Sequence, residues 1–322
     1  MDEYAGFVVV RESARLRRRP LQGLGVSAIL AGMICLQGAA AKEETRPKIT
    51  DVAFVRIRVS DMQTASAFYH GELKLPNAMC YFGLESQCFF VNLYQQVELV
   101  KMEASPKQNR IDAIGMYTSD AAGLRKYLVS RGQKPRELIT NTHGYESFQI
   151  KDPEGHTIEF VQQPDGTGGS ISGDTPLAGR MIHAGFVVKD RAAADHFYKD
   201  ILGFRLYWSG GMKEAQTNWV AMQVPDGTDW VEYMLNIPDD ADKHTLGVMN
   251  HISLGVVSVK AAQEQLEKAG VVLGAEEQPK IGRDGKWQLN LYDPDGTRVE
   301  LMEFTPVEKP CCSEFTGLHP KP

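Results

Sequence analysis

Long apolar runs are almost missing from this chain, and so is any excess of basic charge. A formal net charge of −6 over 322 residues leaves no electrostatic footprint for nucleic acid or for an anionic membrane surface. No long low-complexity tract occurs, and 43% hydrophobic with 24% charged residues is the make-up of a soluble globular protein long enough for two domains. The run from Leu24 to Leu36 falls short of the ~20 apolar residues that a membrane-spanning helix needs. Cysteine is scarce as well: Cys35, Cys80, Cys88, Cys311 and Cys312 are the whole supply.

What the first 41 residues do contain is ordered. Arg15, Arg17, Arg18 and Arg19 precede the apolar run, and Ala39-Ala40-Ala41 follows it, ahead of the charged Lys42-Glu43-Glu44. Basic, apolar and small residues in that order are the pattern of a secretory signal peptide. Residues 1–41 are therefore expected to be removed, giving an exported, periplasmic or extracellular protein with no stable membrane insertion. The remainder carries 30 basic and 38 acidic residues, a net charge of −8. Its four cysteines permit disulfides in an oxidising compartment, and Cys80 and Cys88 flank a short hairpin pattern. Their connectivity stays open at this level, although adjacency argues against a bond between Cys311 and Cys312.

The rest of the chain repeats itself. Asp61-Met-Gln-Thr-Ala-Ser-Ala-Phe-Tyr69 is matched by Asp190-Arg-Ala-Ala-Ala-Asp-His-Phe-Tyr198, each behind an apolar strand pattern and each with Asp placed to cap a helix. Further on, Asp152-Pro-Glu-Gly-His-Thr-Ile-Glu159 is matched by Asp293-Pro-Asp-Gly-Thr-Arg-Val-Glu300. Asp caps such a turn, Pro presets its φ, and Gly tolerates the positive φ that closes it. These anchors divide the chain into four modules of one strand, one helix and about three strands: Thr50 to Met102, Ile111 to Gln162, Arg180 to Asn236, and Gly247 to Phe304. Residues 163–179, rich in Gly, Ser, Asp and Pro, read as a linker between a half at 50–162 and a half at 180–304, with a tail at 305–322.

Four βαβββ modules closing on Asp-Pro-Asp-Gly-x-x-x-Glu resemble the vicinal oxygen chelate superfamily. That group includes glyoxalase I, bleomycin- and fosfomycin-resistance proteins, and extradiol dioxygenases. The resemblance implies an α+β fold of two tandem glyoxalase-like domains, each a cupped mixed sheet. It also implies that each module offers one ligand position on its first strand and one on its last. Those positions hold Phe54, Ala113, His183 and His251, and Glu98, Glu159, Glu232 and Glu300.

By this reading the second half carries a divalent metal (iron, zinc, manganese or nickel) on His183, Glu232, His251 and Glu300. The first half is a scaffold in which Arg56 and Arg58 pair with Glu98 and Glu159. Strand alternation places His183 with Gly185 and His251 with Ser253 on faces of small residues, opposite Ile182, Ala184 and Phe186 or Ile252, Leu254 and Val256. Trp219, Trp230, Asn236, Trp287 and Asn290, with Arg283 and Lys286 from the loop 281–286, are candidates to line a small-molecule cup. The other histidines, His70, His143, His156, His196, His244 and His319, read as solvated, and the tail as a surface strap with loose final residues.

Three functions fit this much. One is a glyoxalase-like isomerase or lyase that chelates two vicinal oxygens of its substrate and moves a proton with Glu232 or Glu300. A second is an iron(II) extradiol-type dioxygenase, although Asn290 stands where the resemblance leads one to expect Tyr. The third is a binding protein that sequesters a small ligand. The first is favoured, because alternation sets Glu232 and Asn236 on one face.

Overall fold

Both copies of the Asp…Phe-Tyr repeat fold alike. Asp61 accepts a hydrogen bond from Thr64 N and opens helix α1 (Met62–Ser66), as Asp190 does from Ala193 N for α3 (Arg191–Asp195). Each helix then widens into a π-helical segment, Ala67–Glu72 and His196–Ile201, which carries the fully buried Tyr69 and Tyr198. The computed structural model describes residues 44–80, 86–102, 109–164 and 176–322. The candidate signal peptide with Cys35, and the middle of the expected linker, lie outside the described residues.

The expected α+β architecture is what the chain builds. Module one is β1 (Ile49–Val59), α1, β2 (Asn77–Ala78), β3 (Gln87–Phe90) and β4 (Gln96–Lys101). Module two is β5 (Ile111–Thr118), α2 (Ala121–Ser130), β6 (Ile139–Thr140), β7 (Glu146–Lys151) and β8 (Thr157–Gln162). Module three runs β9 (Arg180–Val187), α3, β10 (Arg205–Gly210), β11 (Trp219–Gln223) and β12 (Trp230–Met234). A short helix unforeseen from sequence, α4 (Lys243–Met249), takes up Gly247, so module four starts at β13 (His251–Val256). It continues with α5 (Val259–Lys268), β14 (Lys280–Ile281), β15 (Trp287–Tyr292) and β16 (Arg298–Glu303).

Two eight-stranded mixed sheets result, ordered β2-β3-β4-β1-β5-β8-β7-β6 and β10-β11-β12-β9-β13-β16-β15-β14. In each, the two central strands are antiparallel to one another and each is parallel to the last strand of its own module. One face of each sheet packs under helices in a continuous apolar core; the other faces are smaller clusters around Phe54 and around Trp230.

The repeated motifs meet in space. Tyr69 Oη donates to Asp293 Oδ2 at 3.2 Å, and Tyr198 Oη donates to Asp152 Oδ2 at 3.0 Å, so each half's helix is tied to the other half's Asp-Pro-x-Gly turn. Asp295 and Glu154 in those turns accept from Ser60 N and Lys189 N in the same reciprocal manner. His156, expected to be solvated, is half-buried and bonded to Asp152 at 2.9 Å.

A second tie runs through Asp229, which is fully buried. It accepts from Val52 N, Gln95 Nε2 and Arg180 Nε at 2.7–3.1 Å, while Gln95 bridges the backbones of Val52 and Met181. Removing Asp229 leaves the buried Val52 N–H without its acceptor and Arg180 paired with Asp51 alone, which costs about 1–3 kcal/mol. Asp229→Ala is therefore expected to lose about that much stability in urea unfolding, where a loss below about 1 kcal/mol would show that the two sheets do not depend on this contact.

Candidate metal centre

The second sheet brings four acceptors to one point. His183 enters from β9, His251 from β13, Glu232 from β12 and Glu300 from β16. His183 Nε2 and His251 Nε2 stand 3.1 Å apart. Glu300 Oε2 is 3.5 Å from His183 Nε2, and Glu232 Oε2 is 3.4 Å from His251 Nε2 and 3.9 Å from His183 Nε2. Ligand atoms of His183, His251 and Glu300 all lie within 4.8 Å of one another. Both imidazoles are fully buried, and Glu300 nearly so.

Charge and hydrogen bonding make this a candidate cation site. Burial pushes both imidazoles well below the usual histidine range, helped by the Arg298 guanidinium, so the rings are neutral. His251 Nδ1–H faces the carbonyl of Met249 at 3.4 Å, which leaves the Nε2 lone pair directed into the cluster. Burial raises Glu300, and raises Glu232 to about 7, against the pull of Arg298 and Lys286. Two imidazole lone pairs and two carboxylates turned on one another are a donor set for a divalent ion of intermediate softness, and the residues present fit one.

A glycine makes room for it. Gly185 lies opposite His251 in the register of β9 and β13, and a Cβ there would come within 2.0 Å of the His251 ring. The first half inverts the arrangement. Arg56 takes the place of Gly185, Ala113 that of His251, and the Phe54 ring lies over Gly115. Arg56 donates to Glu98 at 2.8 Å and stands 3.7 Å from Glu159, which also accepts from Ser147 and Gln149. Arg58, expected to share this task, instead pairs with Asp112.

Beside the cluster lies a cavity of about 260 Å³. Trp219, Trp230, Arg283 and Asn290 line it as expected from sequence, together with Glu232 and Glu300. Three other expectations fail. Asn236 is exposed, because β12 stops at Met234 and Asn236 turns away in a left-handed conformation with φ 62°, bonded to Thr217 O. Trp287 is an odd number of residues from Asn290, so it points to the helix side, where Lys260 sits over its ring. Lys286 is buried in a box of Tyr207, Trp230 and Phe315, and burial pushes its ammonium down against the pull of Asp284, Glu300 and Glu232. Ile182 also departs from simple alternation. A register shift between β9 and β13 turns it into the cluster around Trp208 and Trp230.

Arg298 is the main residue that sequence reading missed. It stands two residues before Glu300 on the same strand face, lines the cavity, and its Nη2 reaches 2.8 Å from His251 Nε2. The period-two alternation that sets Glu300 on the cavity face sets Arg298 there as well. The tail was also underestimated. Ser313 Oγ and the N–H of Thr316 bond to β10, Phe315 forms part of the cavity wall, and His319 is bonded to Tyr207. Cys80 is bonded to Cys88 across β2 and β3, and Cys311 to Cys312, contrary to the expectation from adjacency; Arg283 donates to Cys311 Sγ beside that bond.

Comparison with known proteins agrees with this description. The family profile of the Glyoxalase/Bleomycin resistance protein/Dioxygenase superfamily matches residues 180–301. An ethylmalonyl-CoA/methylmalonyl-CoA epimerase of Cereibacter sphaeroides is 30% identical over 134 residues, which are 39% of this chain and 99% of that protein. The human mitochondrial methylmalonyl-CoA epimerase is 28% identical over 141 residues, 41% of this chain and 78% of that protein. Among solved structures, homoprotocatechuate 2,3-dioxygenase of Brevibacterium fuscum (E323L mutant) superposes with a TM-score of 0.60 at 16% identity, over 80% of this chain and 72% of that one. The enzyme of the same name from Arthrobacter globiformis gives 0.59 at 17%, over 80% of each. At such identity the dioxygenases share the fold alone, whereas the first epimerase aligns over almost its whole length. The chain belongs to the glyoxalase/bleomycin resistance protein/dioxygenase superfamily.

Proposed function

We propose that this protein is an exported, divalent-metal-dependent isomerase that moves a proton on a carbon next to a carbonyl group. One observation carries the reading: Glu232 turns its carboxylate toward both imidazoles, at 3.4 and 3.9 Å. With Glu232, four protein groups rather than three would hold a divalent ion, which would polarise two vicinal oxygens of the substrate. The similarity to epimerases in sequence supports the same reading.

When bound, the ion supplies Lewis-acid polarisation of the substrate carbonyl, which acidifies the neighbouring C–H. The remaining work falls to side chains. Glu232 is the more exposed of the two carboxylates, 14% against 4%, so it is the one able to approach the substrate carbon, accept its proton and deliver it to the neighbouring carbonyl carbon, or exchange it with solvent on the way. Trp219 and Trp230 wall the cavity against bulk water. His183 is stacked on Trp230 at 4.7 Å, which holds its ring in the ligating orientation.

Export is supported by the order of residues 15–44 and by the pairing of all four cysteines outside residues 1–41. Among the described residues no helix is long and apolar enough to cross a membrane.

Two experiments test these readings. Metal-loaded protein in D2O under argon, offered methylmalonyl-CoA and a series of 2-oxo and 2-hydroxy acids, should place deuterium on the carbon beside the carbonyl. Glu232→Gln should slow that exchange on the order of 10²–10⁴-fold. Absence of exchange with every compound, together with oxygen-dependent loss of a catechol, would overturn the isomerase reading in favour of a dioxygenase. N-terminal sequencing of protein from its native host should start near Lys42; protein that keeps Met1 would refute export.

A further inference from the structure

Buried polar groups in folded proteins nearly always have a hydrogen-bond partner, and each exception calls for an explanation. Three exceptions here border one cavity. Trp230 Nε1, Asn290 Oδ1 and Arg298 Nε are buried without a partner, and all three residues line the cavity beside the four acceptors. Trp230 and Asn290 are only 3% and 5% exposed. Asn290 lies opposite Glu300 in the register of β15 and β16, so its amide shares the cavity face.

Arg298 has the most at stake. Its one hydrogen bond among the described residues goes to His251 Nε2, the lone pair that a bound metal would take, and no carboxylate of a described residue lies within 4 Å of it. Once the metal holds His251, the guanidinium is left as an unpaired cation facing the cavity. Lys280 and Arg283 border the same space and add to the positive charge that an anionic substrate would meet. A planar guanidinium with two parallel N–H donors is matched by a carboxylate. A volume of about 260 Å³ is below the ~300–1,000 Å³ of sites for drug-sized ligands.

We propose that the cavity recognises its substrate by a carboxylate, held by Arg298 and the Trp230 indole N–H, while Asn290 Oδ1 accepts from a neighbouring hydroxyl, so that the natural substrate class is a compact organic acid carrying vicinal oxygens. Arg298 acts as the specificity-determining residue. This rests on the isomerase reading only for the metal; the anion subsite itself is built from the chain's own side chains.

The test compares mandelate with mandelamide, which share a ring and two vicinal oxygens and differ in charge. Binding of each is measured calorimetrically to the full chain, both metal-loaded and stripped by chelator. Mandelate should bind the loaded protein at least tenfold more tightly than mandelamide. Arg298→Gln should weaken mandelate on the order of 10- to 100-fold and leave mandelamide unchanged. Arg298→Lys, which keeps the charge and loses the fork, should fall between them, and serves if the glutamine variant does not fold. Metal affinity should rise in Arg298→Gln, because a competing donor and a like charge leave the ligand cluster. Equal affinity for acid and amide, binding of neither, or mandelate affinity unmoved by Arg298→Gln would overturn the proposal. A protein that takes up no metal but whose stripped form still prefers mandelate through Arg298 would sink the isomerase reading and keep the subsite.

Discussion

Two carboxylates buried on the concave face of a β-sheet need a cation, and both halves of this protein are organised around that need. An unpaired buried carboxylate either binds a proton or finds a positive partner. In the first half the partner is covalent to the chain: Arg56 lies between Glu98 and Glu159. In the second half the arginine is replaced by Gly185, and the space goes to the ring of His251. With the built-in cation gone and two neutral imidazoles added, the same pair of strand positions becomes a candidate ligand set for an external ion. One substitution pattern, Phe-x-Arg opposite Ala against His-x-Gly opposite His, separates a scaffold from a centre.

The precision of that centre comes from elsewhere in the repeat. Tyr69 and Tyr198 each reach from the π-helical end of a module's helix to the Asp-Pro-x-Gly turn of the opposite half, and those turns lead directly into β16 and β8. Glu300 therefore sits on a strand whose entry is pinned by a helix of the first half. This gives the first half a physical role: it braces the strand that carries Glu300. The Asp229 network does the same at the start of β12, three residues before Glu232.

Much of this was legible in the sequence because it is periodic. The two repeated motifs determined the module count, and period-two alternation around His183, His251, Glu232 and Glu300 put the ligands on one face. Legibility ended where the period breaks or where contacts are distant. The bulge beside Ile182 and the left-handed turn at Asn236 are local backbone events with no pattern in the residues around them. Lys286 lies in a loop and Trp287 opens a strand, so the two do not form one lining surface, and alternation alone separates Trp287 from Asn290. The tail is a third case. Nothing local in 305–322 says that Phe315 will wall the cavity, because its partners Tyr207 and Trp208 are more than a hundred residues away. The Cys311–Cys312 bond defeated an argument from ordinary disulfide geometry, which disfavours adjacent residues.

The central claim is that a cation unites His183, Glu232, His251 and Glu300. X-ray absorption spectroscopy with elemental analysis of the metal-reconstituted full chain tests it most directly. One metal per chain is expected, with two imidazoles among its protein ligands and only nitrogen and oxygen neighbours at about 2.0–2.2 Å. That signal should vanish in His251→Ala and in Gly185→Ala, where the new Cβ displaces the ring, and persist in Glu98→Ala. Metal retained undiminished in His251→Ala, or a first shell containing sulfur, would contradict the account.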